Sequence, residues 1–271
     1  MKCTVIVDNM CVRPGLMAEW GYAALLTTPH GSLLIDTAGH GASLLHNLRA
    51  LRIDPASIGD VFLSHGHFDH CGGLGELLVH APRIRIWGAS RIAAERWGGE
   101  EPAALREEGG GQLLRLAGLR AIEDEAEILP GVTAFAVPAQ ARDPSFVHHD
   151  DMWERGPEGA LIPDSFADDL SLLVRGERGV SVLLGCAHAG TPNILRYAAE
   201  RFGVSSFYAV IGGMHLASLS KEGLAAWMDA LTAFDVAVWR PAHCTGFQAA
   251  SALAARCRDV DWAGAGAVVD L

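Results

Sequence analysis

Ser64-His65-Gly66-His67-Phe68-Asp69-His70-Cys71-Gly72-Gly73-Leu74 places three histidines and one aspartate within six consecutive residues. The preceding Val61-Phe62-Leu63 reads as the end of a buried strand, and residues 74–78 as the start of a helix. The cluster therefore falls on a strand-to-helix turn, where side chains converge on one point. Imidazole nitrogen and carboxylate oxygen are ligands for zinc, manganese or iron. His65 and His67, two apart on an extended turn, reach one ion. Asp69 and His70 lie further round and reach a second, as in two-metal sites whose ions sit roughly 3.5–4 Å apart. The plainer alternative is a polar loop with scattered histidines, but a loop so rich in glycine and histidine has no evident structural purpose.

The same arrangement recurs along the chain. A strand at 180–184 runs into Gly185-Cys186-Ala187-His188-Ala189-Gly190, a strand at 207–211 into Gly212-Gly213-Met214-His215, and a strand at 236–239 into Pro241-Ala242-His243-Cys244. Each histidine stands in the turn before a helix, expected at 194–201, 221–233 and 247–257. In layered α/β folds ligands bind beyond the carboxyl ends of strands. Four such turns at one sheet edge bring His65 to His70, His188, His215 and His243 together. His188 and His243 read as metal ligands; His215 reads equally as a ligand or a substrate contact. Asp36, at the end of a strand over 32–36, is either a turn former or the acid that orients a metal-bound histidine.

The remaining pattern fills in around these turns. Residues 22–28 and 32–36 form a hairpin about Thr28-Pro29-His30-Gly31, and 170–174 and 180–184 a second. The spacing predicts helices over 44–51, 71–79 and 89–96, and strands at 60–63, 84–87, 113–116, 132–137 and 266–270. Residues 98–111 read as a solvated excursion. Residues 138–167 show little periodicity and carry His148-His149-Asp150-Asp151; this run is either solvated or part of an active-site loop or lid.

Composition narrows the partners. Half of the 271 residues are apolar, enough for a large core. A net charge of −11 argues against nucleic acid and against an anionic membrane surface, both of which need a basic face. A small-molecule substrate is the expected partner. Cys3, Cys11, Cys71, Cys186, Cys244 and Cys257 form no C-x-x-C pair. With no signal-peptide pattern at the first residues, they read as reduced thiols of a cytoplasmic protein.

The H-x-H-x-D-H pattern of His65, His67, Asp69 and His70 resembles the signature of the metallo-β-lactamase-fold superfamily. Within it the chain resembles the branch of dihydropterin-ribofuranosylaminobenzene-phosphate synthase-like proteins. The resemblance is carried by Glu19-Trp20-Gly21, Ile35-Asp36-Thr37, Asp168-Asp169 and residues 64–74, 185–193, 209–216 and 241–247. It implies a layered α/β fold, an αββα sandwich of two mixed sheets flanked by helices, as one domain over residues 1–271. It also implies one or two divalent ions at one edge, zinc first, with manganese or iron as alternatives. By analogy, Glu19, Trp20, Asp168 and Asp169 either face the substrate or serve as ordinary surface and packing residues. Trp20 stands where the branch has histidine and Leu170 where it has glutamine, so the substrate need not be the one in the branch name. Superfamily hydrolases carry a metal-bridging aspartate after a late strand. Here either Cys186 replaces it, or His188 takes a ligand role without a bridge; the reach of imidazole favours His188.

The expected chemistry is metal-assisted hydrolysis or group transfer on a small phosphorylated or ester-containing metabolite. His65, His67 and His188 would hold one ion, and Asp69, His70 and His243 the other, with Asp69 also placed to accept a proton. Diiron redox relatives resemble this pattern but carry glutamate where this chain has His67. RNA-processing relatives need an inserted domain and basic surfaces. A single-metal or non-catalytic binding member of the same fold is the main alternative.

Overall fold

A computed structural model of the chain describes residues 1–99, 106–107, 118–147, 152–156 and 158–271. One sheet has seven strands: β1 (Lys2–Val7), β2 (Ala23–Thr28), β3 (Gly31–Ile35), β4 (Asp60–Phe62), β5 (Arg85–Ala89), β8 (Leu119–Ile122) and β17 (Val268–Asp270). Their spatial order is β17-β1-β2-β3-β4-β5-β8. The second sheet has six: β9 (Glu125–Leu129), β10 (Val132–Ala136), β13 (Leu170–Gly176), β14 (Gly179–Leu184), β15 (Phe207–Gly213) and β16 (Val236–Ala242). These are ordered β16-β15-β14-β13-β10-β9. A small sheet, ordered β12-β11-β6-β7, joins β6 (Arg96–Gly98), β7 (Arg106–Glu107), β11 (Met152–Arg155) and β12 (Leu161–Pro163).

Side-chain alternation in the strands builds three apolar layers. Ala24 and Leu26 of β2, Leu33 and Ile35 of β3, and Leu170, Leu172 and Val174 of β13 face the space between the large sheets. Their neighbours face outward. Ala23, Leu25 and Leu34 pack on Leu44 and Leu48 of α1 (Gly41–Ala50) and Leu74 and Leu77 of α3 (Leu74–His80). Leu173, Val182 and Val210 pack on α4 (Thr191–Phe202), α5 (Lys221–Thr232) and α6 (Phe247–Ala254). Strands buried on both faces explain the near-continuous apolar runs in the sequence. The layering is the αββα arrangement that the resemblance implied.

Topology sets the site. β3, β4 and β5 run parallel to one another, as do β14, β15 and β16. Leu184 pairs with Gly212, and Gly213 with Ala242, so three turns of the second sheet leave from nearly the same level. The backbone N–H of Leu170 donates to the carbonyl of Ser64 at 2.9 Å, tying the two large sheets together beside the histidine turn.

The expected helix over 89–96 is not formed. Ala89 ends β5, and Arg96 begins β6, paired with Glu154 of β11. Isolated turns fill the interval, with Ile92 N–H donating to Ala89 O and Ala94 N–H to Arg91 O. The buried Arg96 guanidinium donates to Asp164 at 2.7 Å and lies 2.7 Å from Asp168. This long-range ionic anchor outweighs a weak local helical preference. The helix expected over 71–79 is two pieces, α2 (Phe68–Cys71) and α3, divided at Gly72 and Gly73. A Cβ on Gly73 would overlap the carbonyl of Thr37, so helix and strand end approach more closely than any other residue would allow. The aperiodic segment 138–167 contains short 3-10 turns at Ala139–Ala141 and Pro144–Phe146 as well as β11 and β12. The strand expected at 113–116 and the His148-His149-Asp150-Asp151 run lie outside the described residues, as does most of 98–111.

Candidate metal centre

The four histidine-bearing turns meet at one edge of the sandwich. His65 Nε2 lies 3.1 Å from His67 Nδ1, and the His188 ring is 4.9 Å from both of their rings. Donor atoms of His65, His67 and His188 all lie within 4.8 Å of one another, as do those of Asp69, His70 and His243. In the second group, His243 Nε2 lies 3.2 Å from His70 Nε2 and 3.2 Å from Asp69 Oδ2. All six residues are buried.

Their supports fix which nitrogen faces inward. Asp36 accepts from the Ser64 N–H at 2.7 Å and the Ser64 hydroxyl at 2.8 Å, and lies 2.7 Å from His70 Nδ1. His70 Nδ1–H therefore donates to Asp36, leaving the Nε2 lone pair pointing at the cluster. Because the Ser64 hydroxyl hydrogen goes to Asp36, its oxygen accepts from His65 Nδ1–H at 2.9 Å. Asn9 Oδ1 lies 2.9 Å from His243 Nδ1 and accepts there in the same way, while Asp8 accepts from the His243 N–H at 2.7 Å. So His70 and His243 present two lone pairs to each other at 3.2 Å. Two lone pairs at that distance need a proton or a metal cation between them. The edge of a tetrahedral zinc–nitrogen site is about 3.3 Å. The donor set thus fits a bound divalent ion.

The electrostatics separate the two groups. Burial, reinforced by the neighbouring imidazoles of His70 and His67, holds His65 well below the ordinary histidine range, so it is a neutral donor. Burial raises Asp69, but the charges of His70 and His243 outweigh it and keep the carboxylate ionised. Burial likewise opposes protonation of His70, but Asp36 and Asp69 carry it up to about 9, so near neutral pH the metal-free chain holds a proton on Nε2, which an ion bound there would displace. The turn also holds backbone strain. Asp36, Ala38, Phe166, Ala187, His215 and His243 are non-glycine residues with φ between 46° and 61°, and all lie beside the cluster. Such conformations cost about 1–3 kcal/mol each and persist where the surroundings enforce them.

A cavity of about 400 Å³ opens over the cluster. His67, Asp69, His188, His215 and His243 form its floor with Cys186 and Cys244, while Trp20, Phe68, Met152 and Gly98 supply an apolar wall. His215 stands 4.5 Å from the His188 ring, inside the cavity. Trp20 is half exposed, with its ring 5.3 Å from that of His243, at the mouth.

Three of the candidate substrate-facing residues are placed elsewhere. Glu19 accepts from the N–H groups of Gly39 and His40, both at 3.1 Å, closing the turn after β3. Asp168 is buried between the Gly66 N–H, at 2.8 Å, and Arg96. Asp169 accepts from the Ala189 N–H at 2.9 Å and fixes the His188 turn. Their carboxylates shape the loops that carry the histidines.

Asp8, Asn9, Arg96 and Asp164 are supporting residues that the sequence reading did not single out. Asp8-Asn9 was detectable: it is a polar pair directly after an apolar strand, the pattern that drew attention to Asp36. Arg96 and Asp164 carried no such signal.

Metallo-beta-lactamase superfamily sequences match the chain over residues 21–205. It is 27% identical over 235 residues to the 7,8-dihydropterin-6-methyl-4-(beta-D-ribofuranosyl)-aminobenzene-5'-phosphate synthase of Methanocaldococcus jannaschii, covering 80% of this chain and 76% of that one. An uncharacterized protein of the same archaeon is 26% identical over 252 residues, 92% of each chain. A solved metal-dependent hydrolase of the beta-lactamase superfamily superposes with a TM-score of 0.85 at 27% identity, covering 100% of this chain and 99% of that one. The chain belongs to the metallo-beta-lactamase superfamily.

Proposed function

We propose that this member of the superfamily is a metal-dependent hydrolase or group-transfer enzyme acting on a small phosphorylated or ester-containing metabolite. One observation carries the proposal: two three-donor groups, His65/His67/His188 and Asp69/His70/His243, each reach one cavity, His67 and His188 of the first and Asp69 and His243 of the second lining it. These residues would hold divalent ions, zinc first, whose chemistry would be to activate water near neutral pH and to offset negative charge developing on the substrate.

The chain's own residues do the rest. Asp36, Ser64 and Asn9 hold three imidazoles in the tautomer that offers Nε2. Asp69 stays ionised and accepts a hydrogen bond from the attacking water, orienting it. Trp20, Phe68 and Met152 bind the apolar part of the substrate and exclude solvent from the floor. His215, beside His188 in the cavity lining, would donate to a substrate oxygen. The synthase similarity supports a phosphorylated, pterin-like metabolite as the first compound to try.

The test joins metal content with turnover. Protein purified without chelators should carry two equivalents of metal and hydrolyse a member of a panel of phosphate esters, carboxylic esters and pterin phosphates. His67→Ala and Asp69→Asn should each abolish that turnover. One equivalent or fewer, not raised by adding metal, together with saturable binding of a panel compound but no product, would replace the enzyme reading with a binding role.

A further inference from the structure

Cys186 occupies a place that neither trio explains. Its thiol is buried, and its Sγ lies 3.0 Å from His70 Nε2. It forms one close donor group with His65 and His70, a second with His188 and His215, and a third with His243 and Cys244. These groups draw on both trios, so Cys186 stands between them. The space around it is built. Gly185 and Gly213 flank it, and a Cβ on Gly213 would stand 2.7 Å from Cys244 Sγ. A Cβ on Gly185 would overlap the Ser64 hydroxyl. Cys244 in turn donates its S–H to Cys186 Sγ at 3.3 Å. A hydrogen bond from a neighbouring thiol favours the sulfur that carries negative charge.

We propose that Cys186 is a thiolate ligand shared by the two ion positions, with Cys244 as its hydrogen-bond donor. This rests on the metal reading of the site given above. On binding, the Cys186 S–H bond breaks, sulfur keeps the electron pair and bonds the ion, and one proton leaves to solvent. Cys186 and His188 are then not alternatives: the imidazole completes the first group and the thiolate joins it to the second. A shared thiolate makes the centre selective for thiophilic ions, zinc, cobalt and cadmium, over manganese and magnesium.

The metal-free full-length chain titrated with cobalt(II) tests this. The wild type should take up two equivalents and develop a sulfur-to-cobalt charge-transfer band that grows through both. Cys186→Ser should lose the band and bind zinc at least about tenfold more weakly, with its manganese affinity changing less. Cys244→Ser should keep the band. Should Cys186→Ser fail to fold, zinc-edge X-ray absorption of the wild type decides instead, with one sulfur neighbour expected at each zinc. Two bound ions with no sulfur neighbour, with sulfur at only one ion, or with a band that survives Cys186→Ser and vanishes in Cys244→Ser would each overturn the proposal while leaving the enzyme reading standing. No uptake of zinc or cobalt by the wild type would overturn both.

Discussion

His70 and His67 belong to one motif three residues apart, yet the molecule supports them in different ways. His70 leans directly on Asp36, at 2.7 Å, and Asp36 sits at the end of a central strand with both oxygens engaged. His67 has Asp164 at 3.7 Å, an ion-pair distance too long for a hydrogen bond. Asp164 is itself held by Arg96 of the small sheet, and Arg96 also holds Asp168, which accepts from the Gly66 N–H between His65 and His67. A Cβ on Gly66 would overlap Ile92 O and Arg96 Nη1, so the guanidinium lies hard against the loop. One half of the centre is thus fixed by the main fold. In the other, His65 and His188 are also held by the main fold, but His67 leans on Asp164 and through it on Arg96 of the small sheet.

The largest effect expected from this contrast is at Arg96. Arg96→Met leaves the carboxylates of Asp164 and Asp168 buried without their cation, costing about 3–5 kcal/mol. Urea unfolding of the metal-free protein measures it; a loss below about 1 kcal/mol would mean the small sheet does not hold the loop. The next is at Asp169, whose neighbour Asp168 has a guanidinium while Asp169 relies on backbone donors. Burial raises the Asp169 carboxyl to about 6. Its folded value exceeds the unfolded value of about 3.9, so the folded state binds the proton more tightly. Stability therefore falls as pH rises from about 4 to about 6, by at most about 3 kcal/mol, and the penalty persists above. Asp169→Asn should flatten that slope in chemical denaturation run at several pH values; an unchanged slope would assign it to another group.

At Asp36 the effect is on metal more than on folding. Asp36→Asn keeps the shape but weakens the acceptor on His70 Nδ1, and should loosen one of the two ions by about 10- to 100-fold. Competition with a chromogenic chelator reads this. Equal loosening of both ions would erase the distinction drawn between His70 and His67. The smallest effect is at Trp20. Trp20→Ala should change stability by less than about 0.5 kcal/mol, because the ring is 59% exposed. It should raise KM for the substrate found in the panel while leaving metal content unchanged, and a drop in metal content would move Trp20 from the cavity wall to the ligand supports.

The residues of the candidate centre could be picked out because the chemistry is concentrated in short turns. H-x-H-x-D-H is local, and a histidine after each parallel strand can be read without knowing the partner strand. The layers were legible because two-sided burial leaves apolar runs such as Leu170 to Val174. Arg96 was not, since its partner Asp164 is 68 residues away and the intervening sequence gives no sign of the pairing. The same anchor bears on the helix expected over 89–96: Ile92 and Ala93 fit a helical face, and the tertiary ion pair and strand pairing of Arg96 decide against it. Asp168 and Asp169 were singled out with substrate contact and packing left open, because a carboxylate facing a ligand and one pinning a loop look alike in sequence.

The tie between Asp8 and His243 spans 235 residues. Neither the first half of the chain nor the second contains a finished second trio: Asp69 and His70 come early, and His243 comes late with its carboxylate support near the beginning. Closing so long a loop is slow relative to forming local helices and hairpins. During synthesis the centre would be completed last, after the ribosome has released the strand that carries His243. Two separately produced fragments, split in an exposed turn between the large sheets, would each lack tight metal binding at that position and regain it on reassociation. Metal retention would then serve as a reporter of completed folding.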